Sequence, residues 1–356
     1  MDYKPECTDL SLIENIAHGG PDYSELRTKG IRADALIDFS VSINPYPLPR
    51  SVKKAASGGR ISAYPDPEAS ELRDAISSFH GRAAGEILPV NGLSQGIRLL
   101  SSLLLSQGKI SLIAGPTYGE YEKYSLIAGA EIIRHNDTES LCRVASAKKP
   151  AVLWLCNPNN PTGTMLGSDE LSLIAKACGD GYLIIDEAYI NFLPPDKRTS
   201  VSADNIVIMR SMTKDFALTG LRLGYIAANS RIIEDLKKLQ PIWSVNASAQ
   251  RAGTAAIGAL AYYERQWEKL RREKSDFVAK LGEFGLTISP GAANFILARL
   301  GPKTDPEWKD RLLCSGILVR DCASFGLPGF VRIGVLNRKQ NLNFIRKLRR
   351  LRIWEK

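Results

Sequence analysis

The stretch Ser211-Met-Thr-Lys214-Asp-Phe-Ala-Leu-Thr-Gly-Leu-Arg222-Leu-Gly-Tyr225 carries the reading of this chain. It sets a lysine after two hydroxyl-bearing residues, then a glycine-containing turn, then an arginine. Upstream, the apolar run Tyr182-Leu-Ile-Ile185 ends in Asp186, and earlier still comes Asn157-Pro-Asn-Asn160-Pro-Thr-Gly163. A buried-type run that closes on a carboxylate reads as a strand of an α/β sheet, whose carboxyl edge borders the ligand crevice. A lysine, an aspartate and an arginine thus arrive in one order, each beside the end of an element.

Outward from this centre, short apolar and β-branched runs alternate with helical patterns. Strands are expected at 109–114, 131–134, 151–156, 182–186, 206–210 and 223–227, with helices such as 118–128 and 168–178 between them. Buried runs alternating with helices predict a mainly parallel sheet covered on both faces. Residues 246–282 read as one long charged amphipathic helix, and the mixed patterns at 286–300 and 317–335 as a second, smaller α/β domain. Five prolines in 40–67 (45, 47, 49, 65 and 67) mark an extended connection. The expected organisation is an arm over 1–45 that contributes to the small domain and the active site, a large domain over 46–245 and a small domain over 246–356.

A chain of 356 residues exceeds what one simple core needs, which fits that division. Hydrophobic and charged contents of 44% and 24% are those of an ordinary globular protein, and no apolar run is long enough to span a membrane. Met1-Asp-Tyr-Lys-Pro-Glu-Cys7 has no apolar core, so no secretory leader is expected. The six cysteines (7, 142, 156, 178, 314 and 322) form no CxxC pair, which argues against a zinc site or a disulfide framework. A cytoplasmic protein without a metal is expected. The net charge of +9 is concentrated at the end, in Arg338, Lys339, Arg346, Lys347, Arg349, Arg350 and Arg352. Within 343–354, Phe344, Ile345, Leu348, Leu351 and Ile353 recur at helical spacing, so the segment reads as a terminal helix with a solvated basic face. Neither nucleic acid nor membrane is an expected partner, since a basic strip alone is weak support for either. The positive field favours encounter with a phosphorylated small molecule.

The chemistry follows from residue types. Lys214 is a candidate to condense with an aldehyde, Asp186 to hold a ring nitrogen protonated, and Arg222 to grip a phosphate through a planar guanidinium. These are the groups that pyridoxal 5'-phosphate (PLP) requires of a protein. Tyr189 and Asn160 are placed to donate to the ring's phenolic oxygen, and Ser211 and Thr213 add hydroxyl donors for the phosphate. Asn91-Gly-Leu-Ser94-Gln95-Gly-Ile97 opens a helix, whose N–H groups with Ser94 and Gln95 form a further anion site. Tyr118, in Gly115-Pro-Thr-Tyr118-Gly119, is a candidate to stack on the ring. Taken singly, Asp186 also reads as a helix cap, Asn160 as a turn residue and Tyr118 as core. The same Gly92-Leu-Ser94-Gln-Gly96 matches the G-x-S-x-G elbow of α/β-hydrolases. That reading needs an acid and then a histidine, and only His135 follows, with no aspartate between.

Together the motifs resemble the fold-type-I PLP enzymes over nearly the whole chain. Asn-Pro-x-Asn-Pro-Thr-Gly, Asp-Glu-Ala-Tyr, Ser-x-Thr-Lys and Gly-Leu-Arg-x-Gly point to the branch containing histidinol-phosphate aminotransferase. The resemblance implies a mainly parallel seven-stranded sheet between helices, with a smaller α/β domain. It gives Lys214 the cofactor linkage and Tyr64, in Ala63-Tyr-Pro-Asp-Pro67, a reach to the partner subunit's phosphate, hence a homodimer. Arg332, in Phe330-Val-Arg-Ile-Gly334, matches the arginine that holds a substrate carboxylate.

Further segments are similar to the threonine-phosphate decarboxylase family of cobalamin biosynthesis: His18-Gly-Gly20, Asp38-Phe-Ser-Val-Ser-Ile-Asn-Pro45, Trp243-Ser-Val-Asn246, Pro290-Gly-Ala-Ala-Asn294 and Ile317-Leu-Val-Arg-Asp-Cys-Ala323. That resemblance implies a pocket for phosphate and carboxylate made by His18, Arg320 and Arg332, with Ser42 and Asn160 also facing substrate. It departs at Ser42, where asparagine is usual, and at Ala292, where a bacterial member has arginine. The implied reaction is decarboxylation of O-phospho-L-threonine to (R)-1-amino-2-propanol O-2-phosphate; the alternative is histidinol-phosphate or related transamination. The two differ in which Cα bond stands across the ring plane, which residue types do not fix. A DNA-binding regulator with this fold would need a helix-turn-helix extension, and no two-helix pattern precedes Asp38.

Overall fold

Val152-Leu-Trp-Leu-Cys156 offers no polar side chain to water, and all five residues are buried. In the computed structural model, which describes residues 18–59, 62–299 and 307–352, this run is a central strand of a seven-stranded sheet. The strands of the chain are β1 (Ile37–Asp38), β2 (Ile87–Val90), β3 (Ile110–Ala114), β4 (Glu131–His135), β5 (Val152–Cys156), β6 (Tyr182–Asp186) and β7 (Ile206–Ser211), then β8 (Gly224–Ala227), β9 (Thr287–Ser289), β10 (Phe295–Arg299), β11 (Ile317–Leu318), β12 (Arg320–Asp321) and β13 (Phe330–Gly334). The large sheet runs β2-β8-β7-β6-β5-β3-β4. Its neighbours from β4 to β7 pair in parallel, while β8 is antiparallel to both β7 and β2.

Alternation along the strands explains why helices cover both faces. Leu112, Leu153, Leu155, Leu183 and Ile185 point into one core with Leu141, Leu171 and Ile174 of helices Leu141–Lys148 and Ser168–Ala177. Their neighbours Ile113, Trp154, Ile184, Val207 and Met209 point into the other, against Ile97 and Leu100 of helix Gly92–Leu104. That second core also takes in Ala249, Ala252 and Ala256 of helix Ala247–Ile257.

The remaining strands form a four-stranded antiparallel sheet, β12-β13-β10-β9, and the short parallel pair β1-β11. Phe344 and Leu348 of the terminal helix Arg338–Leu351 are buried and share the core with Phe39 and Phe277, while Arg338, Lys339, Arg346, Arg349 and Arg350 face outward. No helix among the described residues is long and apolar enough to cross a membrane.

Four expectations are corrected. The single helix over 246–282 is two, Ala247–Ile257 and Leu260–Gly282, because Gly258 and Ala259 end the first and start the second. The strand Ile87-Leu-Pro-Val90 escapes the pattern reading because its proline demotes it; as an edge strand, bonded only to β8, it tolerates one. The helix expected from 118 begins at Glu120, which leaves Tyr118 in the loop before it. The terminal helix begins at Arg338 rather than 343, capped by the Asn337 side chain on the Gln340 N–H at 3.1 Å. Met1–Cys7, Ile353 and Trp354 lie outside the described residues.

Candidate active site

Strands β3, β5, β6 and β7 are parallel and so end on the same edge, and the segments leaving them build one cavity of about 380 Å³. The β3 exit supplies Tyr118, Glu120 and Tyr121; the β5 exit, Asn160; β6 ends in Asp186 and leads to Tyr189; β7 ends in Ser211, followed by Thr213 and Lys214. Helix Gly92–Leu104 brings Leu93 and Ser94 to the same space, and the turn before β8 brings Arg222. The antiparallel sheet closes the other side with Arg320 and Arg332, and the N-terminal segment adds His18, Gly19 and Ser42.

Asp186 is buried, accepting from the Tyr121 hydroxyl at 2.7 Å and the Ala188 N–H at 3.0 Å. Burial raises its carboxyl above the ordinary range, and Lys214 and these donors oppose that rise. Burial also works against the Lys214 ammonium, but Tyr189 and Asp186 outweigh it and its pKa stays above the ordinary lysine value. The Lys214 Nζ lies 4.4 Å from the centre of the Tyr189 ring. Behind the lysine, the Asn44 N–H donates to the Lys214 carbonyl at 2.8 Å, which fixes the turn.

One corner gathers hydroxyls and a guanidinium. Ser211 Oγ and Thr213 Oγ1 are 2.6 Å apart, beside Ser94, Thr219 and Arg222. Gly92 there has φ of +71°, and a Cβ on it would stand 2.9 Å from an Arg222 nitrogen. Only glycine keeps that approach open without strain.

The opposite corner is cationic. Arg320 on β12 is the register partner of Arg332 on β13, so two guanidinium groups face the cavity side by side. Like charges opposite one another on a sheet repel. Burial and the Arg332 charge both pull the Arg320 pKa below its ordinary value. Arg332 donates to Asn160 Oδ1 and, at 2.6 Å, to the Ser40 carbonyl, while its Nε is buried without a partner. Ser42 Oγ and Glu120 Oε2 are likewise buried and unpartnered on this cavity. His18 Nε2 lies 4.0 Å from Glu120, and its ring centre lies 5.9 Å from that of Tyr118.

Two expected residues stand elsewhere. The Gln95 side chain turns back to accept from the Asn91 N–H at 2.8 Å and does not line the cavity, which leaves its main-chain N–H as the donor it can offer there. Tyr64 is 78% exposed, outside its own chain's cavity, and stacks on Trp243 with ring centres 4.2 Å apart. Ala292 also lies away from the cavity, its N–H donating to the Gly163 carbonyl at 2.7 Å. Several lining residues were given no role in the sequence, among them Glu120, Tyr121, Thr219 and Phe325.

The architecture and this cavity define a PLP-type α/β enzyme, and the comparisons agree. Residues 34–348 match the aminotransferase class I and II family, and the chain belongs to it. It is 35% identical over 353 residues to the threonine-phosphate decarboxylase of Salmonella typhimurium, covering 94% of this chain and 96% of that one. It is 32% identical over 326 residues to the histidinol-phosphate aminotransferase of Symbiobacterium thermophilum, covering 88% and 90%. Among solved structures, the L-threonine-O-3-phosphate decarboxylase of Porphyromonas gingivalis superposes with a TM-score of 0.78 at 27% identity, over 89% of this chain and 99% of that one. The family is PLP-dependent. The residues fit that cofactor: a glycine-opened corner with hydroxyl and guanidinium donors suits its phosphate, and an amine and a carboxylate share the same cavity.

Proposed function

We propose that this enzyme decarboxylates a phosphorylated amino acid, O-phospho-L-threonine, releasing CO2 and (R)-1-amino-2-propanol O-2-phosphate for cobalamin biosynthesis. The observation that carries this reading is the Arg320–Arg332 pair. Two buried guanidinium groups set opposite each other repel, and anions lying between or beside them relieve that repulsion. Phosphothreonine brings two anions, a phosphate and a carboxylate, and His18 and the unpartnered Ser42 hydroxyl stand ready as further donors. The similarity to the Salmonella enzyme supports the same substrate.

PLP, when bound, supplies an electron sink conjugated with the substrate's Cα. Lys214 would be the amine that carries it, Asp186 the partner of its ring nitrogen, and Tyr189 and Asn160 the donors to its ring oxygen. Ser94, Ser211, Thr213 and Arg222 would hold its phosphate, and Tyr118 would pack on its face. Arg320 and Arg332 fix which Cα bond stands across the ring by holding the substrate's anions. Once free, the Lys214 amine is the group placed to return a proton to Cα.

The exposed Tyr64–Trp243 stack, with Ile242 exposed beside it, is assigned to the contact face of a homodimer. The free thiols Cys142, Cys156, Cys178, Cys314 and Cys322 accord with a cytoplasmic setting.

Histidinol-phosphate transamination is the second reading, and Glu120 favours it. Its buried, unpartnered Oε2 would accept from an imidazole N–H, a group phosphothreonine lacks. Incubating the PLP-loaded protein with O-phospho-L-threonine and measuring CO2 tests the proposal. No CO2, together with glutamate formed from histidinol phosphate and 2-oxoglutarate, would overturn it.

A further inference from the structure

A second cavity, of about 540 Å³, shares no lining residue with the first. One wall is the helix Leu260–Gly282, on which Trp267, Leu270, Arg271, Lys274 and Val278 fall on one face by their spacing of three, four, seven and eleven. The wall opposite combines Phe192–Pro194, which follow β6, with the loop 290–294 that precedes β10. Apolar walls of this size with a few convergent polar groups are the usual form of a small-molecule site.

Two of the polar groups, Lys274 and Arg271, are cations. Lys274 Nζ donates to the carbonyls of Gly291 at 2.7 Å and Ala293 at 2.6 Å, which leaves one of its three N–H donors. Arg271 donates once, to the Phe192 carbonyl at 3.3 Å, and retains most of its fork. Neither cation has a carboxylate in salt-bridge range among the described residues. Of the acids nearest Arg271, Glu268 is paired with Arg272 and Asp196 lies against Lys197. Desolvation brings the Lys274 pKa down to about 8 and lowers that of Arg271, where Glu268 and Asp196 only partly offset it. Asn294, which lines the same cavity and is itself buried, keeps its Oδ1 without a partner.

We propose that this cavity is a binding site for a small amphipathic carboxylate, with its apolar body against Phe192, Trp267 and Val278 and its carboxylate on Arg271 and Lys274. Charge complementarity chooses the anion: an ammonium would meet two cations with no carboxylate in salt-bridge range among the described residues, and a purely apolar molecule would leave their free donors dry. The site also adjoins the catalytic one. Its loop 290–294 donates from the Ala292 N–H to the Gly163 carbonyl at 2.7 Å, and from Asn294 Nδ2 to the Ser42 carbonyl at 3.0 Å. Ser42 lines the first cavity.

The probe is 2-naphthoate, titrated calorimetrically into the PLP-loaded protein beside the neutral 2-naphthylmethanol. One naphthoate per chain is expected to bind. Arg271→Gln should weaken it on the order of tenfold, the value of one charge-assisted hydrogen bond, and leave the alcohol unchanged. Val278→Trp, which fills the space, should abolish binding of both, with the cofactor absorbance reporting that the variant is folded; Arg271→Gln decides alone if it is not. Absence of saturable naphthoate binding, or naphthoate binding unchanged by Arg271→Gln or retained by a folded Val278→Trp, overturns the proposal.

Discussion

Lys214 separates from the chain's other lysines by its neighbours at the residue scale: an aromatic face 4.4 Å from Nζ and a buried carboxylate in the same cavity. Lys214→Ala is expected to lose the visible absorbance of the bound cofactor, and borohydride should no longer fix PLP to the chain; covalent labelling that survives the substitution would assign the linkage to another lysine. Next to it, Asp215 is buried and faces the other way. It accepts from Asn191 Nδ2 at 2.6 Å and the Phe216 N–H at 2.9 Å, with Arg210, Arg198, Tyr225 and Tyr263 around it. Burial pushes its pKa up to about 7, against the pull of those donors and of Arg210. A carboxyl raised in the folded state contributes stability that is present below its unfolded pKa and lost as pH rises through the folded one. Relative to Asp215→Asn, the protein should therefore lose melting temperature between about pH 5 and about pH 8, by an amount equivalent to a few kcal/mol, since each pKa unit is about 1.4 kcal/mol. A melting-temperature difference that stays constant over that range would reject the assignment. Arg320 makes a third case. It faces Arg332 in register and donates to Ser324 Oγ at 2.7 Å, and Arg320→Gln removes one of the two guanidinium groups from the cavity. The same change should raise KM for phosphothreonine on the order of tenfold or more, the loss of a charge-assisted contact.

Elements decide which residues meet, and the sequence was read with unequal success at that scale. The runs 151–156 and 182–186 were legible because a strand buried on both faces has only apolar choices, and in the second Asp186 marks its end. Glu120 and Tyr121 were not legible as site residues, because what qualifies them is contact with groups distant in sequence: Tyr121 meets Asp186 across 65 positions. The break at Gly258–Ala259 was hidden because helix-forming residues run on both sides of it. The Gln95 side chain stands off the cavity for a local reason, since a side chain at a helix start can bond its own backbone as readily as it can face a ligand. Tyr121 also gives a prediction. Its hydroxyl helps hold the Asp186 carboxylate ionised, and its ring stacks on Trp154 with centres 5.3 Å apart and planes 5° from parallel. Tyr121→Phe keeps the stack and removes the donor, so the Asp186 pKa should rise. In an absorbance titration, the cofactor's spectrum should then collapse on acidification at a higher pH than in the parent protein; an unchanged profile would mean that the Ala188 N–H and Lys214 suffice.

For the whole molecule, the question is how the antiparallel sheet is held over the cavity edge of the large one. Arg332 reaches across to Asn160 and to the Ser40 carbonyl, and Ala292 bonds to Gly163 beyond the same turn. At that contact the chains approach so closely that a Cβ on Gly291 would stand 2.6 Å from the Gly163 Cα. Lys274 secures this loop from behind, through the carbonyls of Gly291 and Ala293, although it touches neither of the cavity's arginines nor Lys214. Methionine at 274 would keep the aliphatic stem and lose both bonds, the part-buried one to Ala293 and the exposed one to Gly291, at a cost of about 2 kcal/mol. For a chain of this size that corresponds to a fall of several degrees in melting temperature. If the loop positions the Asn160–Gly163 turn and Ser42 for substrate, KM should rise in Lys274→Met by a larger factor than kcat falls, because the chemistry at Lys214 is untouched while the anion-binding wall is loosened. A fall in melting temperature with KM and kcat both unchanged would reduce Lys274 to a structural tie, and a fall in kcat alone would place the loop's influence on the chemical step rather than on binding.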